Sequence, residues 1–295
     1  MDKNKVKVVA PATSANVGSG YDACAFALAL YNTLTFERTG SGLEITGCPE
    51  EHCNEGNMAY KTYKAVFGRA GKDVGGVKID IETNVPICRG LGSSATLLIA
   101  GAVGANELLG RPFEKEDLLD ICLEFEPHPD NVCACLWGGF TTAVKTDDST
   151  EVFLSSVSPD LRFFAIIPDY PVSTEEARAI MPKEVALTDA VFDLSRAALL
   201  PRVFEAGDRS MVKTVTDDRL HQPYRSRLIK RYDDLREMSY RNGAYAFFIS
   251  GSGSTCMAMS DGDDFIGKMK KDLESFDFTV EIKELTVDGE GARVV

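Results

Sequence analysis

Long apolar runs are missing from this sequence. No segment approaches the roughly 18 apolar residues that a membrane-spanning helix needs, and the nearest candidate, residues 95–103, is short and contains glycine. We therefore expect a buried helix there. Residues 1–11 alternate apolar and polar side chains as a strand does, and they lack the apolar centre of a signal peptide. The chain is therefore expected neither to cross a membrane nor to be secreted.

An excess of positive charge is also missing. The 295 residues include 45 Asp and Glu against 32 Lys and Arg, which gives a net charge of −13. Such a chain repels phosphate backbones, which argues against nucleic acid or an anionic membrane as a partner. An anionic small molecule would have to be held by local cations, backbone N–H groups and Mg²⁺.

Paired cysteine motifs are absent as well. The eight cysteines, at positions 24, 48, 53, 88, 122, 133, 135 and 256, show no C-x-x-C spacing. His52 lies beside Cys48 and Cys53, but no second cluster completes four zinc ligands, so we expect an exposed loop with free thiols. A chain of this length without a secretion signal is expected to keep its cysteines reduced, in the cytoplasm.

Periodicity predicts strands interleaved with helices. Strands are predicted at residues 6–9, 28–37, 76–83, 138–144, 162–167, 244–250 and 280–285. Helices are predicted at 93–109 and 114–126, and from Thr188, Thr216 and Asp263 onward. A polar stretch at 145–159 marks a boundary between domains at 1–155 and 156–295. This organisation predicts an α+β protein with a cleft between two domains.

The most specific local feature is a glycine-rich loop between a predicted strand and an apolar helix. Residues 86–95 read Pro-Ile-Cys-Arg-Gly-Leu-Gly-Ser-Ser-Ala. Gly90 and Gly92 let the backbone curl around an anion, and residues 93–95 offer N–H groups at the positive end of a helix. The loop is not a Walker A motif, because no Lys follows its second glycine. A tight turn with serine N-caps is the alternative.

Two further Gly/Ser loops follow predicted strands. Residues 11–22 read Pro-Ala-Thr-Ser-Ala-Asn-Val-Gly-Ser-Gly-Tyr-Asp, and residues 249–256 read Ile-Ser-Gly-Ser-Gly-Ser-Thr-Cys. Each of them alone is equally well explained as a surface loop. Three such loops at strand ends, in this order and separation, are far more restrictive and favour phosphate binding.

With these three loops in order, the sequence resembles the GHMP kinases from about residue 6 to the C-terminus. This family of ATP-dependent small-molecule kinases includes galactokinase, homoserine kinase and mevalonate kinase. The resemblance implies a two-domain α+β GHMP kinase fold, with a ribosomal protein S5 domain 2-like N-terminal domain and a ferredoxin-like C-terminal domain. It also implies ATP and Mg²⁺ in the cleft between them.

Within the family, the motifs are most similar to those of the homoserine kinases. They stand at residues 14–22, 126–132 (Glu-Pro-His-Pro-Asp-Asn-Val), 173–178 (Ser-Thr-Glu-Glu-Ala-Arg) and 220–225 (Leu-His-Gln-Pro-Tyr-Arg). The implied reaction is transfer of the ATP γ-phosphate to the side-chain hydroxyl of L-homoserine. Four residues differ from those usual at their positions in these motifs: Ser19, Pro127, Lys230 and Ser254. We expect these differences to affect the rigidity of the loops more than the chemistry of the site.

Position-by-position transfer of the motifs implies four groups of site residues. The implied ATP-binding residues are Pro86, Arg89, Gly90, Leu91, Gly92, Ser93, Ser94, Ala95, Asn57 and Tyr60. The implied substrate residues are Asn16, Asp22, His128, Asn131, Arg178 and Arg225. The implied catalytic residues are Asn131, Asp22 and Thr174, the last as a γ-phosphate contact. The implied Mg²⁺ ligands are Ser94 and Asp120.

These side chains suit a zwitterionic amino acid. Arg178 and Arg225 can fork onto an α-carboxylate, and Asp22 can take the α-ammonium. Asn131 stands where several family members carry an Asp as a possible base. Because a neutral amide cannot remove a proton at neutral pH, we expect catalysis mainly by in-line positioning and charge stabilisation.

Several alternatives stay open. Asp120 is one methylene shorter than the usual Glu, so it could reach Mg²⁺ through a water or be a solvated helix acid. Trp137 is expected to lie in the core and not to stack on the base. The acceptor could be another hydroxyl compound such as L-threonine or a sugar, or the chain could be a catalytically silent ATP-binding regulator. A homodimer is expected by analogy with the family alone.

Overall fold

The structure is a computed structural model that describes residues 4–295. Residues 1–3 of the predicted N-terminal strand lie outside the described residues. The strands in the described part are, in chain order, β1 (Lys5–Val17), β2 (Gly20–Thr39), β3 (Leu43–Thr46), β4 (Gly76–Glu82), β5 (Phe140–Lys145), β6 (Thr150–Ser155), β7 (Phe163–Pro168), β8 (Ala244–Ile249), β9 (Cys256–Ser260), β10 (Val280–Leu285) and β11 (Arg293–Val294).

These strands form two sheets. The seven-stranded sheet has the order β11-β1-β2-β4-β3, and β5 joins it on β2 and carries β6. All of its pairs are antiparallel except β3 with β4. The four-stranded sheet has the order β10-β7-β9-β8 and is antiparallel throughout. All predicted strands are confirmed, although β1 and β2 are longer than their patterns indicated.

The helices of the described part are, in chain order, α1 (Met58–Arg69), α2 (Ser93–Leu108), α3 (Lys115–Leu123), α4 (Pro129–Trp137), α5 (Thr174–Ala179), α6 (Leu187–Ala197), α7 (Leu200–Ala206), α8 (Arg209–Thr216), α9 (Gln222–Arg225), α10 (Tyr232–Arg241) and α11 (Phe265–Leu273). Four of these helices, α2, α3, α6 and α11, were predicted, and the others were not. Two 3₁₀ turns lie at Glu50–His52 and Ser226–Leu228. Among the described residues, none of these helices is both long and apolar enough to cross a membrane.

Two helix predictions needed correction. The helix predicted from Thr216 is wrong, because α8 ends at Thr216 and the short α9 begins only at Gln222. Between them the carboxylate of Asp218 accepts backbone N–H bonds and shapes a turn. The predicted helix at 114–126 is shorter, since α3 ends at Leu123. Prolines at 127 and 129 disfavour helical conformation in the residues before them.

The tip of the β1–β2 hairpin packs against α8, in the second half of the chain. The two strands pair from Lys5 with Glu37 up to Val17 with Gly20, so the turn between them is tight. Gly18 has a φ of +51°, and a Cβ there would lie 2.3 Å from the Cα of Thr216. Only glycine therefore allows the tip to reach α8.

One apolar core is shared by both halves of the chain. The ring of Phe26 on β2 lies 4.9 Å from that of Phe163 on β7. Phe140 on β5 similarly lies 5.3 Å from Phe204 on α7. The seven-stranded sheet contains β1 to β6 and the final strand β11, and the four-stranded sheet contains β7 to β10. The domain boundary at 155/156 stays a prediction.

Candidate active site

The three glycine-rich loops meet at one place and are hydrogen-bonded to one another. Ser250 Oγ donates to Ser14 Oγ at 2.8 Å and contacts the carbonyl of Gly90 at 2.7 Å. The N–H of Gly251 donates to the carbonyl of Ala15 at 2.8 Å. The N–H of Thr13 donates to the carbonyl of Leu91 at 3.1 Å. The surface-loop alternative for each motif is therefore wrong.

Helix α2 begins inside this junction. Its N-cap, Gly92, adopts a left-handed conformation with φ +67°, and the helix starts at Ser93. The first turn of a helix leaves backbone N–H groups without intrahelical partners at the positive end of its dipole. Residues 93–95 line the cavity, and a helix start of this kind offers N–H groups that can bind an anion.

The junction opens into a cavity of about 280 Å³. Most of the residues implied by the resemblance line it: Asn16, Asn57, Arg89, Gly90, Gly92, Ser93, Ser94, Ala95, His128, Asn131, Thr174, Arg178 and Arg225. The structure does not bring Pro86, Leu91, Tyr60, Asp120 or Asp22 to this cavity wall. Leu91 is fully buried in the core and Tyr60 packs against another core cluster.

One end of the cavity is lined by residues that the sequence motifs did not indicate. These are Cys48, Pro49, His52, Met58 and Leu97. Asn57 organises this end, because its side-chain oxygen caps α1 at the N–H of Ala59 and its amide donates to the carbonyl of His52. All eight cysteines are free thiols, as predicted. Trp137 packs against the core, also as predicted.

Arg178, a charged residue of the cavity lining, forms an ion pair with Asp22, which is not itself among the lining residues. Both terminal nitrogens of Arg178 donate to Asp22, at 3.1 and 3.2 Å. Arg178 reaches Asp22 because the capping box of Ser173 and Glu176 fixes the start of α5. Asn16 accepts the N–H of Asp22, and both residues have positive φ values of 56° and 53°. Such strained backbone is typical of functional sites.

Arg225 lies behind this pair and is only 1% exposed. Its Nε donates to the carbonyl of Ala177 and its Nη1 to that of Gly251, at 3.3 and 3.0 Å. Burial is the main cause that lowers the pKa of Arg225. The guanidinium is therefore held by backbone oxygens and has no carboxylate partner among the described residues.

The short helix α9 that carries Arg225 is fixed by buried polar groups. Asp218 accepts backbone N–H bonds from residues 220, 221 and 222, as a capping residue does. His221 is fully buried, and burial is the main cause that lowers its pKa to about 3. As a neutral imidazole it can donate from Nε2 to the carbonyl of Gly18, 2.9 Å away, and it stacks on Tyr21. These contacts connect the hairpin tip with α9.

Asp130 is a site residue that the motif transfer missed. It lines the cavity, is 2% exposed, and follows Pro129 in the first turn of α4. Its Oδ1 accepts the N–H of Asn131, whereas its Oδ2 is buried without a partner among the described residues. Burial, the largest cause, raises the pKa of Asp130 to about 6. The sequence did contain a signal for Asp130, because it lies between His128 and Asn131 in the motif at residues 126–132.

Asn131 and His128 both line the cavity. Thr13 Oγ1 donates to Asn131 Oδ1 at 2.6 Å, so the first loop fixes this side chain. His128 Nδ1 lies 2.8 Å from Glu126 Oε1. Glu126 also lines the cavity, whereas Asp120 is exposed on α3 and does not.

Comparison with known proteins agrees with this geometry. Residues 57–139 match the model for the GHMP kinases N-terminal domain, and residues 200–274 match that for the GHMP kinases C-terminal domain. The chain is 42% identical to the homoserine kinase of Clostridium beijerinckii, and 37% identical to that of Clostridium botulinum strain Alaska E43. Both alignments cover 98% of each chain.

Solved structures give the same result. A crystal structure of homoserine kinase from Cytophaga hutchinsonii superimposes with a TM-score of 0.89 at 31% identity, over 100% of this chain and 98% of that one. A putative homoserine kinase from Listeria monocytogenes gives a TM-score of 0.81 at 26% identity, over 98% and 99%. The predicted two-domain α+β GHMP kinase fold is thereby confirmed. The chain belongs to the GHMP kinase family.

Proposed function

We propose that this chain is a homoserine kinase, which transfers the γ-phosphate of ATP to the side-chain hydroxyl of L-homoserine for threonine biosynthesis. The products are O-phospho-L-homoserine and ADP. Relatives with this name align with the chain over nearly its whole length. The observation that carries the proposal is one cavity whose lining combines the start of helix α2 with arginine and aspartate side chains of opposite charge.

The glycine loop and the start of α2 hold the triphosphate in this proposal. The N–H groups of Ser93, Ser94 and Ala95 bind phosphate oxygens, and Thr174 contacts the γ-phosphate from α5. The end of the cavity near Asn57 receives the adenosine. The direct hydrogen bonds among the three loops support this assignment, because they hold the donors in place before the nucleotide arrives.

Asn131 positions the acceptor hydroxyl and does not remove its proton. Its Oδ1 already accepts a hydrogen bond from Thr13, and an amide cannot act as a base at neutral pH. In-line positioning of acceptor and phosphate can contribute on the order of 7–11 kcal/mol to lowering the barrier. A loose phosphoryl-transfer transition state requires little early activation of the hydroxyl.

Mg²⁺ fits this cavity through oxygen donors. Ser94 and Glu126 both line it, and a hydroxyl with a carboxylate is a donor set that Mg²⁺ accepts alongside phosphate oxygens. When bound, the cation neutralises charge that develops on the transferred phosphate. We therefore propose Ser94 with Glu126, in place of Asp120, as the protein ligands.

A comparison of two carboxylate variants tests this ligand assignment. We expect Glu126→Gln to raise the Mg²⁺ concentration for half-maximal activity by about 10-fold or more, because a ligand charge is lost. Asp120→Asn is expected to leave that concentration within about twofold, because Asp120 is exposed outside the cavity. A Mg²⁺ titration of initial rates measures both. The reverse ranking would restore Asp120 as the ligand.

The proposed function is tested by an acceptor screen. Purified protein with ATP and Mg²⁺ is expected to release ADP in the presence of L-homoserine and to form O-phospho-L-homoserine, identified by mass spectrometry. L-threonine, L-serine and galactose are the competing acceptors, and a reaction without acceptor is the control. ATP binding without acceptor-dependent ADP release would instead identify a silent regulator.

The cellular setting completes the proposal. We place the protein in the cytoplasm, where reduced thiols such as its eight free cysteines persist. We also retain the division into domains 1–155 and 156–295, and a homodimer by analogy with the family. Size-exclusion chromatography with light scattering measures the oligomeric state directly.

A further inference from the structure

Two thiols lie in contact beside the end of the cavity near Asn57. The Sγ atoms of Cys48 and Cys53 are 3.5 Å apart, and Cys53 Sγ lies 3.6 Å from the carbonyl oxygen of Cys48. A disulfide holds its two sulfurs about 2.0 Å apart, so bond formation requires a movement of roughly 1.5 Å. Both cysteines are free and half-buried. The pair is therefore placed to be joined by oxidation.

The segment that connects the two cysteines is short and exposed. Residues 49–52 all face solvent, and the 3₁₀ turn Glu50–His52 contains no buried residue. Cys53 Sγ also lies 3.5 Å from the carbonyl oxygen of Pro49, so the segment folds closely around this thiol. A surface segment of this kind can shift by about an ångström without disturbing the core, and small solutes reach it from solvent.

Only one of the two thiols belongs to the cavity wall. Cys48 lines the cavity together with Pro49 and His52, whereas Cys53 lies outside the lining. The side-chain amide of Asn57 donates to the carbonyl of His52 at 3.0 Å and lies 3.9 Å from Cys48 Sγ. The same side chain caps α1 through its oxygen. A displacement of Cys48 is therefore felt by the cavity wall and by the residue that organises it.

We propose that Cys48 and Cys53 form a modification site, at which hydrogen peroxide joins the two thiols in a reversible disulfide that weakens nucleotide binding. The inference rests on the proposed function in one respect, because it takes this end of the cavity as the place of the adenosine. Bond formation draws Cys48 towards Cys53, outside the lining, and disturbs its contact with the Asn57 amide. Conversely, bound adenosine covers Cys48 and slows the reaction.

The reaction proceeds in two steps. In the first, the Cys53 thiol is oxidised to a sulfenic acid while one peroxide is reduced and releases a water molecule. In the second, Cys48 Sγ attacks the Cys53 sulfur, and the departing hydroxide takes the Cys48 proton and leaves as a second water. Burial is the main cause that raises the pKa of Cys48 to about 11, so this thiol is protonated at neutral pH and suits the second step.

The test measures ATP binding before and after treatment with hydrogen peroxide. Peptide mapping by mass spectrometry identifies the bond, and calorimetric titration with ATP in the absence of an acceptor gives the Kd. In the wild type we expect a disulfide between Cys48 and Cys53 and a Kd for ATP raised by about fivefold or more, as for two coupled sites. Dithiothreitol is expected to restore the original Kd. ATP present during the treatment is expected to slow formation of the disulfide.

Two serine variants serve as controls. Cys53→Ser removes the thiol that lies outside the cavity lining, so its Kd for ATP is expected to change by less than about twofold on treatment. Cys88→Ser removes the exposed cysteine, and its Kd is expected to rise on treatment as in the wild type. Each variant is compared with its own untreated sample.

Each result decides a different question. Peroxide-treated wild type without this disulfide, or with the disulfide and an unchanged Kd, would overturn the inference. An equal loss of affinity in Cys53→Ser would assign the effect to another group and overturn it as well. Reduced protein that binds ATP without phosphorylating L-homoserine would overturn the proposed function, whereas the redox comparison would still decide the inference. Reduced protein that does not bind ATP would overturn both.

Discussion

Replacement of Arg225 by Gln is expected to lower kcat/KM for L-homoserine by about 100-fold or more, since the acceptor carboxylate loses a buried charged partner. The guanidinium is 1% exposed, so water cannot replace it. Lys is not a sufficient substitute, because two N–H groups of Arg225 bind the carbonyls of Ala177 and Gly251 in different directions. Steady-state kinetics with L-homoserine measure the loss.

The acceptor 3-aminopropan-1-ol separates lost recognition from a damaged fold. It retains the hydroxyl and the ammonium but lacks the carboxylate, so Arg225→Gln is expected to change its kcat/KM by less than about threefold. Arg227→Gln is the matched control, because Arg227 is exposed two residues further along. Near-normal turnover of L-homoserine by Arg225→Gln, with the control unchanged, would remove Arg225 from the pocket.

The sequence predicted the architecture well where the signal is local. Strand β4 shows period-two burial, and the apolar stretch at 93–108 forms a buried helix that ends before Gly110. Order and separation of three glycine loops predicted a common site, and the structure joins them through Ser14, Gly90 and Ser250. The loops at 86–95 and 249–256 follow β4 and β8 as predicted, whereas residues 11–17 lie within β1 and continue to the tip of its hairpin with β2.

Prediction failed where hydrogen bonds of single side chains or tertiary packing decide the structure. The turn after Thr216 depends on a carboxylate that captures three backbone N–H groups, which no periodicity reveals. The end of the cavity near Cys48 and Met58 is assembled by tertiary packing around Asn57 and has no motif of its own. Asp130 was missed for another reason. The transferred motif supplied its neighbours, while the burial of its Oδ2 without a partner among the described residues becomes visible only in three dimensions.

Three of the four departures from the usual motifs, at Ser19, Lys230 and Ser254, form specific hydrogen bonds. Ser19 Oγ donates to the carbonyl of Val215 at 2.9 Å, and Ser254 Oγ donates to that of Tyr170 at 2.7 Å. A proline at either position could make neither bond. The backbone N–H of Lys230 donates to the hydroxyl of Tyr170 at 2.8 Å, which a proline would also forbid. These substitutions therefore replace proline rigidity with hydrogen bonds between loops.

Gly92→Ala is expected to lower kcat/KM by about 100-fold or more, since small displacements of positioning groups have effects of this size. A Cβ at residue 92 would lie 1.9 Å from Thr13 Oγ1 and 3.1 Å from Asn131 Oδ1. It would therefore break the hydrogen bond between these two side chains and move the start of α2. One methyl group disturbs the phosphate turn and the acceptor contact together.

Gly110→Ala supplies the matched control at the other end of the same helix. Gly110 has a φ of +83°, compared with +67° at Gly92, and nothing lies within 4 Å of a Cβ built on it. Both variants lose about 1 kcal/mol of stability from the left-handed backbone, which thermal unfolding measures. Only Gly92→Ala is expected to lose activity and nucleotide affinity, because only there does the methyl group meet the site. Equal activity losses in the two variants would show that helix strain, and not the geometry of the phosphate turn, limits catalysis.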